Sequence, residues 1–347
     1  MDSTLLRGRW ASAEPWGSEA VASVLGVAEQ GAYVTHALHE DERTWPETNC
    51  YVDVLVTVLH SLELDPVAAL AFTLGIDFEG DQYTFFKFPH PDLRFLYEVE
   101  VQELNPWRSV IVHAVEQLAL GRYLLPEVDS YFLPDTAGVS YRSEHAKSTI
   151  AIAHVDVERR VLRYFHNRGY HTLSGEDFDG VFRLDEYAPA AGVLPPYVEI
   201  AKLDRLVRLG PAELTARAVE LARLHLAQRP SRNPITVHRD RLQRDLEWLK
   251  GEPLAMFHQY AFATVRQAGA GFGLTASFLR WLQSNGEGGL EGAAVAFETL
   301  SSTAKTVQFK LARMAGQKRD VDVNPLMGTM ERAWDEGMSH LVERYSG

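Results

Sequence analysis

Val52, Leu55, Val56, Leu59 and Leu62 recur at three- and four-residue spacing, so the stretch RTWPETNCYVDVLVTVLHSLELDP carries an amphipathic helix. Pro46, Thr48 and Asn49 are start signals, with Asn49 or Thr48 as the N-cap. A second helix is expected from Asp65-Pro66, a cap followed by proline in the first turn. A third should open at Asn105-Pro106, with Trp107, Val110, Ile111, Ala114, Val115 and Leu118 on its apolar face and Gly121 at its end. YTFFKF (83–88) reads as a strand. So do YLLPEVDSYFLP (123–134), STIAIAHVD (148–156) and VLRYFHN (161–167), the last two forming an antiparallel pair across a short turn. After the Gly- and Asp-rich SGEDFDG (174–180), LPP (194–196) suggests a boundary. From about residue 203 the pattern is helical, with starts near Pro211, Pro234, Pro253, Gly273, Gly292 and Pro325. The expectation is an α+β domain over 1–200 and a helical domain over 201–347.

Composition narrows the function classes. A single cysteine excludes an internal disulfide framework and a cysteine-built metal site, and it fits a reducing, cytoplasmic compartment. The opening MDSTLLRGRW lacks a signal-peptide pattern, and no apolar run approaches the ~20 residues of a membrane span. A net charge of −13 argues against nucleic acid and anionic lipid as partners. The basic clusters at Arg159, Arg160, Arg163 and Arg168, and from Lys310 to Arg319, read first as solvated faces. HALHE (36–40) has no third ligand to make a zinc site. DFEGD (77–81) and GEDFDG (175–180) lack the spacing of a calcium loop. GAGFG (269–273) follows a helical run instead of a strand, so it reads as a helix break and not as a dinucleotide loop. FHQYAFATVRQ (257–267) places aromatics at helical spacing, which core packing accounts for first and a pocket wall second. No bound metal or cofactor is expected.

The chemistry gathers around Cys50. A cysteine in the first turn of a helix faces unpaired backbone N–H groups, which stabilise a thiolate. Papain-type folds place such a cysteine ahead of a histidine that opens a strand and of an Asn or Asp that ends the neighbouring strand. Cys50, His145 and Asn167 stand in that order. His145 would manage the thiol proton, Asn167 would hold the imidazole tautomer, and the Cys50 N–H with Asn49 would form an oxyanion hole. Asp129, Tyr131 and Tyr141 are candidates for substrate binding. His154 and His166 compete with His145 as base, and Asp129 and Asp156 compete with Asn167 as orienting group. The plain alternatives are a small buried thiol, an exposed loop histidine and a turn asparagine.

HALHEDERTWPETNCYVD, FTLGIDFEGDQYTFFKF, EVDSYFLPDTAGVSYRSEH and YFHNRGYHTLSGEDFDGVFR resemble an uncharacterised bacterial family of unknown function whose members accompany carrier-protein and amino-acid-activating genes. A more distant resemblance is to butirosin-type acyltransferases, papain-like enzymes that move an acyl group from a carrier-protein phosphopantetheine thioester to an amine. Cys50, Val128-Asp129, Tyr131, Leu133-Pro134, Tyr141 and His145 match their succession, and Asn167 falls where they place an acidic third residue. Their histidine before the strand aligns nearer Ser148 than His145.

The resemblance implies a papain-like core at about 40–200 and a cysteine-dependent acyl or aminoacyl transferase acting on a small acceptor. Its donor arm would be the phosphopantetheine of an acyl or aminoacyl carrier protein, docked near Arg159 and Arg163. A cysteine hydrolase of peptides, amides or thioesters, and a non-catalytic binding protein on the same scaffold, are the alternatives.

Overall fold

The computed structural model describes residues 21–24, 33–190 and 192–345, so the opening decapeptide lies outside the described residues. The chain divides into two compact units that interleave in sequence. One comprises residues up to 36, 49–64 and 93–208; the other comprises 37–48, 65–92 and 209 onward.

The first unit is α+β. Its antiparallel sheet runs in the order β2 (Glu100–Glu103), β8 (Val198–Lys202), β3 (Tyr123–Asp129), β5 (Ala151–Asp156), β6 (Val161–His166), β7 (Gly169–Ser174). β1 (Val21–Ser23) pairs with β5, and β4 (Lys147–Thr149) pairs with the end of β3. Helix α1 (Cys50–Ser61) packs on β4 and β6. It starts where it does because the Asn49 side chain accepts hydrogen bonds from the N–H groups of Tyr51 and Val52, two donors that a helix N-terminus otherwise leaves unpaired. Val52, Val54, Leu55, Val56, Val58 and Leu59 are all buried, each a stabilisation of roughly 1.5–3 kcal/mol from apolar area removed from water. Helix α2 (His90–Tyr97) precedes β2, and α3 (Val110–Ala119) precedes β3. The helix expected from Asn105-Pro106 begins instead at Val110, with Ser109 as cap, and Trp107 stays exposed. The Gly- and Asp-rich 174–180 stretch forms a short helix, α4 (Glu176–Phe182). The prolines at 195–196 do not end the unit, because β8 follows them as an interior strand of the sheet.

The second unit is helical: α5 (Pro211–Ala227), α6 (Pro234–Gly251), α7 (Leu254–Ala263), α8 (Val265–Ser284), α9 (Glu291–Gln317) and α10 (Asn324–Tyr345), joined by a 3₁₀ segment, Pro66–Gly75, capped by Asp65. Residues 83–88 form no strand; Tyr83 makes one isolated bridge to Phe78. Tyr83, Phe86 and Phe88 are buried, while Thr84 and Phe85 are exposed, so burial along the segment does not follow a strand's period of two. GAGFG is also no helix break, since it lies inside α8. A Cβ at Gly269 would come within 2.4 Å of the Trp45 ring, and one at Gly271 within 2.5 Å of Ile76 Cδ1. The glycines are there for close approach. Trp45 in turn donates its indole N–H to the Ser301 carbonyl at 3.2 Å, with the Lys305 ammonium 4.1 Å from the ring centroid.

His238 on α6 is fully buried, stacked on Phe78 at 5.0 Å and 3.4 Å from the Tyr83 hydroxyl. Burial pushes its imidazole down to about 3, so it stays neutral in the fold while the unfolded chain binds a proton near the ordinary value of 6.5. Its contribution is therefore complete above pH 6.5 and is lost as pH falls from there toward 3, at up to about 1.4 kcal/mol per pH unit. Replacing His238 with Phe, which keeps a stacked ring but cannot titrate, should flatten the fall of melting temperature between pH 7 and 4. Parallel curves for the two proteins would refute this account.

Candidate active site

β4 pairs with β3 and β6 with β5 and β7, and side chains alternate between faces along each strand. Thr149 and Phe165 turn toward α1. The Thr149 hydroxyl is 3.8 Å from Cys50 Sγ, and Phe165 meets the Tyr33 ring, which also meets His60 of α1. Ser148, Tyr164 and His166 turn to the opposite face, where the chain leaving β3 passes through two 3₁₀ turns, Ser130–Phe132 and Pro134–Thr136.

On that face a continuous hydrogen-bonded chain is present. Ser148 Oγ is 2.7 Å from His166 Nε2, and His166 Nδ1 is 2.5 Å from Asp135 Oδ2. A carboxylate only accepts, so Nδ1 carries a proton toward Asp135; when Nε2 is unprotonated it accepts from the Ser148 hydroxyl, and when it is protonated it donates to it. Tyr164 donates its hydroxyl to the other Asp135 oxygen at 2.5 Å, and His171 Nε2 lies 3.8 Å from Oδ2. Ser148 is 7% exposed and His166 1%. Burial alone would push the Asp135 carboxyl up; the hydrogen bond and charge of His166, the charge of His171 and the Tyr164 hydroxyl outweigh it and hold the acid below its ordinary value. Burial, then the charge of Asp135, raises Tyr164 far above the usual phenol range, which keeps its proton available to donate. Burial lowers His171, and the charge of Asp135 opposes that shift.

Cys50 opens α1 as expected and is half-buried. His145 and Asn167 do not join it. Among the described residues, no hydrogen bond or ion pair connects Cys50, His145 and Asn167 to one another. His145 is exposed at the lip of β4, donating Nδ1–H to Asp129 Oδ2 at 2.6 Å and stacking on Tyr131 with ring centroids 4.4 Å apart. Asn167 begins the two-residue turn between β6 and β7 at φ +46°, and its carbonyl accepts from the Thr57 hydroxyl at 2.6 Å. The Asn49 carbonyl oxygen caps α1. Of the substrate-binding candidates, Asp129 and Tyr131 hold His145, whereas Tyr141 donates to Asp177 beside Arg142. His154, in the interior of β5, and Asp156, paired with Arg159, lie outside this network. Arg159 and Arg160 are engaged by carboxylates of their own unit. Ser148 and Asp135 drew no catalytic role from the sequence. The signal that could have found them was the two-residue spacing of Tyr164 and His166, which sends both to one face with a nearby acid.

A cleft of about 280 Å³ lies beside β3 and β4; Ser148, His166 and Asp135 are not among the residues that line it. Its walls include Val128, the strand partner of Ser148, with Lys147, Asp129 and His145. Among the described residues no group of three or more His, Cys, Asp and Glu could hold a metal ion, and no helix is long and apolar enough to cross a membrane.

The first unit is an antiparallel α+β fold with a buried Ser–His–Asp hydrogen-bond chain, and the second unit is helical. Two family models of one family match the chain, the DUF1839 N-terminal domain over residues 34–203 and the DUF1839 C-terminal domain over residues 211–343. The chain belongs to the DUF1839 family. No curated protein matches it.

Asp135 sets an acid limit on this site. Its contribution is complete above the unfolded value near 3.8 and is lost as pH falls through the lower folded value. Asp135→Asn should cost roughly 1–3 kcal/mol at pH 7 by removing a charged partner from buried donors. That gap should narrow below pH 3.8 in urea unfolding; a gap constant to pH 2.5 would exclude the assignment.

Proposed function

We propose that the α+β unit is an acyl-transfer enzyme with Ser148 as nucleophile, His166 as general base and Asp135 as the group that orients the base. The observation that carries this is the unbroken relay, 2.7 Å from Ser148 Oγ to His166 Nε2 and 2.5 Å from Nδ1 to Asp135. A nucleophile hydrogen-bonded to a base that is itself held by a third group is the arrangement that activates a hydroxyl.

The donor is an acyl thioester. Ser148 Oγ attacks its carbonyl carbon while His166 Nε2 takes the hydroxyl proton, and the imidazolium that forms is stabilised by Asp135. The C–S bond then breaks, the proton passes from Nε2 to the departing sulfur, and an ester remains on Ser148. An amine or water, deprotonated by the same Nε2, attacks the ester and releases Ser148. Substrate enters through the cleft beside β4, at whose lip His145 stands with Nδ1 bound to Asp129 and its ring stacked on Tyr131.

A second reading keeps Cys50 as the nucleophile, with an acyl or aminoacyl carrier protein as donor. It rests on the Asn49-capped helix N-terminus at the half-buried sulfur. The two are separated by incubating the full chain with an N-acetylcysteamine acyl thioester and reading intact mass and released thiol. Ser148→Ala should abolish the acyl adduct and slow thiol release roughly 10³-fold or more, while Cys50→Ala retains both. The reverse pattern would establish the cysteine reading. A wild type that never acylates would reject both, leaving a binding role for the scaffold.

A further inference from the structure

At one end of the sheet, where β2 and β3 begin and β8 ends, lies a cavity of about 420 Å³. Arg94, Arg122, Lys202 and Arg205 line it with Glu98, Glu100 and Asp204. Two of the cations are already engaged. Lys202 donates to Gln102 at 2.7 Å and lies 3.8 Å from Glu100; Arg122 bonds Gln117 at 3.3 Å and reaches Asp204 at 3.4 Å. Arg94, Arg205 and Glu98 form no side-chain hydrogen bond or ion pair among the described residues. Arg94 and Glu98 stand four residues apart at the end of α2, a spacing at which an arginine and a glutamate commonly pair. Here they remain apart, both on the cavity wall.

Two guanidiniums without a protein partner among the described residues, on the wall of one concavity, are free to bind an anion. Their forked donors match phosphate oxygens bidentately. Glu98 would repel a bare phosphate and can accept from hydroxyl groups on the same ligand. From these three residues we infer a binding site for the phosphate ester of a polyhydroxylated small molecule. Arg94 and Arg205 hold the phosphate, and Glu98 accepts from the hydroxyls. The site uses none of the residues of the Ser148 relay and does not depend on that chemistry.

The test is calorimetric titration of the full chain with ribose 5-phosphate, inorganic phosphate and ribose. Ribose 5-phosphate should bind at least tenfold more tightly than phosphate, and ribose should show no binding. The double substitution Arg94→Ala/Arg205→Ala, at exposed positions, should weaken the ester tenfold or more. Glu98→Gln should shrink the preference for ester over phosphate. Ser148→Ala should bind like wild type. Absence of ester binding, equal affinity for ester and phosphate, or indifference to the double arginine substitution would overturn the inference.

Discussion

The period-two alternation of an antiparallel strand governs the first unit. Consecutive residues of β4 cannot serve the same face, so Thr149 goes to the sulfur of Cys50 and Ser148 to the imidazole of His166. The same rule on β6 separates Phe165 from Tyr164 and His166. A helix-borne thiol and a strand-borne histidine are thus both present, with a sheet between them. A one-residue shift of register in either strand would exchange their partners.

Placing Asp135 on the far face carries an electrostatic cost that its donors offset. A buried carboxylate is tolerated when its lone pairs are filled by hydrogen bonds and a chargeable partner. His166 and Tyr164 supply these from one strand, and His171 approaches from the next. The geometry that makes the acid tolerable also fixes the ring of His166 and leaves its Nε2 toward Ser148. Structural satisfaction and pre-organisation for proton transfer are here one set of bonds.

The helical unit is governed by close approach. Trp45 occupies space that a side chain at position 269 would fill, so the glycines of α8 exchange helix propensity for contact. Periodicity treats such glycines as punctuation, because nothing local to GAGFG records that an indole more than 200 residues away rests on it. Residues 83–88 misled for a related reason. A run rich in aromatics suits a strand, and an extended segment that buries Tyr83, Phe86 and Phe88 without a ladder partner has the same composition.

Much was legible along the chain. The start of α1 at Cys50, the β3, β5 and β6 segments, and the helices opening at Pro211 and Pro234 follow from caps, prolines and periodicity, which act over a few residues. The position of the sulfur at a capped helix start was legible for the same reason; its half-burial was not. The partners of that sulfur were not. Chain order placed His145 and Asn167 in a plausible succession, yet the stagger of β4 on β3 carries His145 to Asp129, and the tight β6–β7 turn commits Asn167 to its backbone. Hydrogen bonds between residues 18 and 31 positions apart depend on pairing register and sheet face, and those are properties of the assembled sheet. Local sequence therefore determined which elements form and where each begins. Only the tertiary structure decided which hydroxyl, imidazole and carboxylate meet.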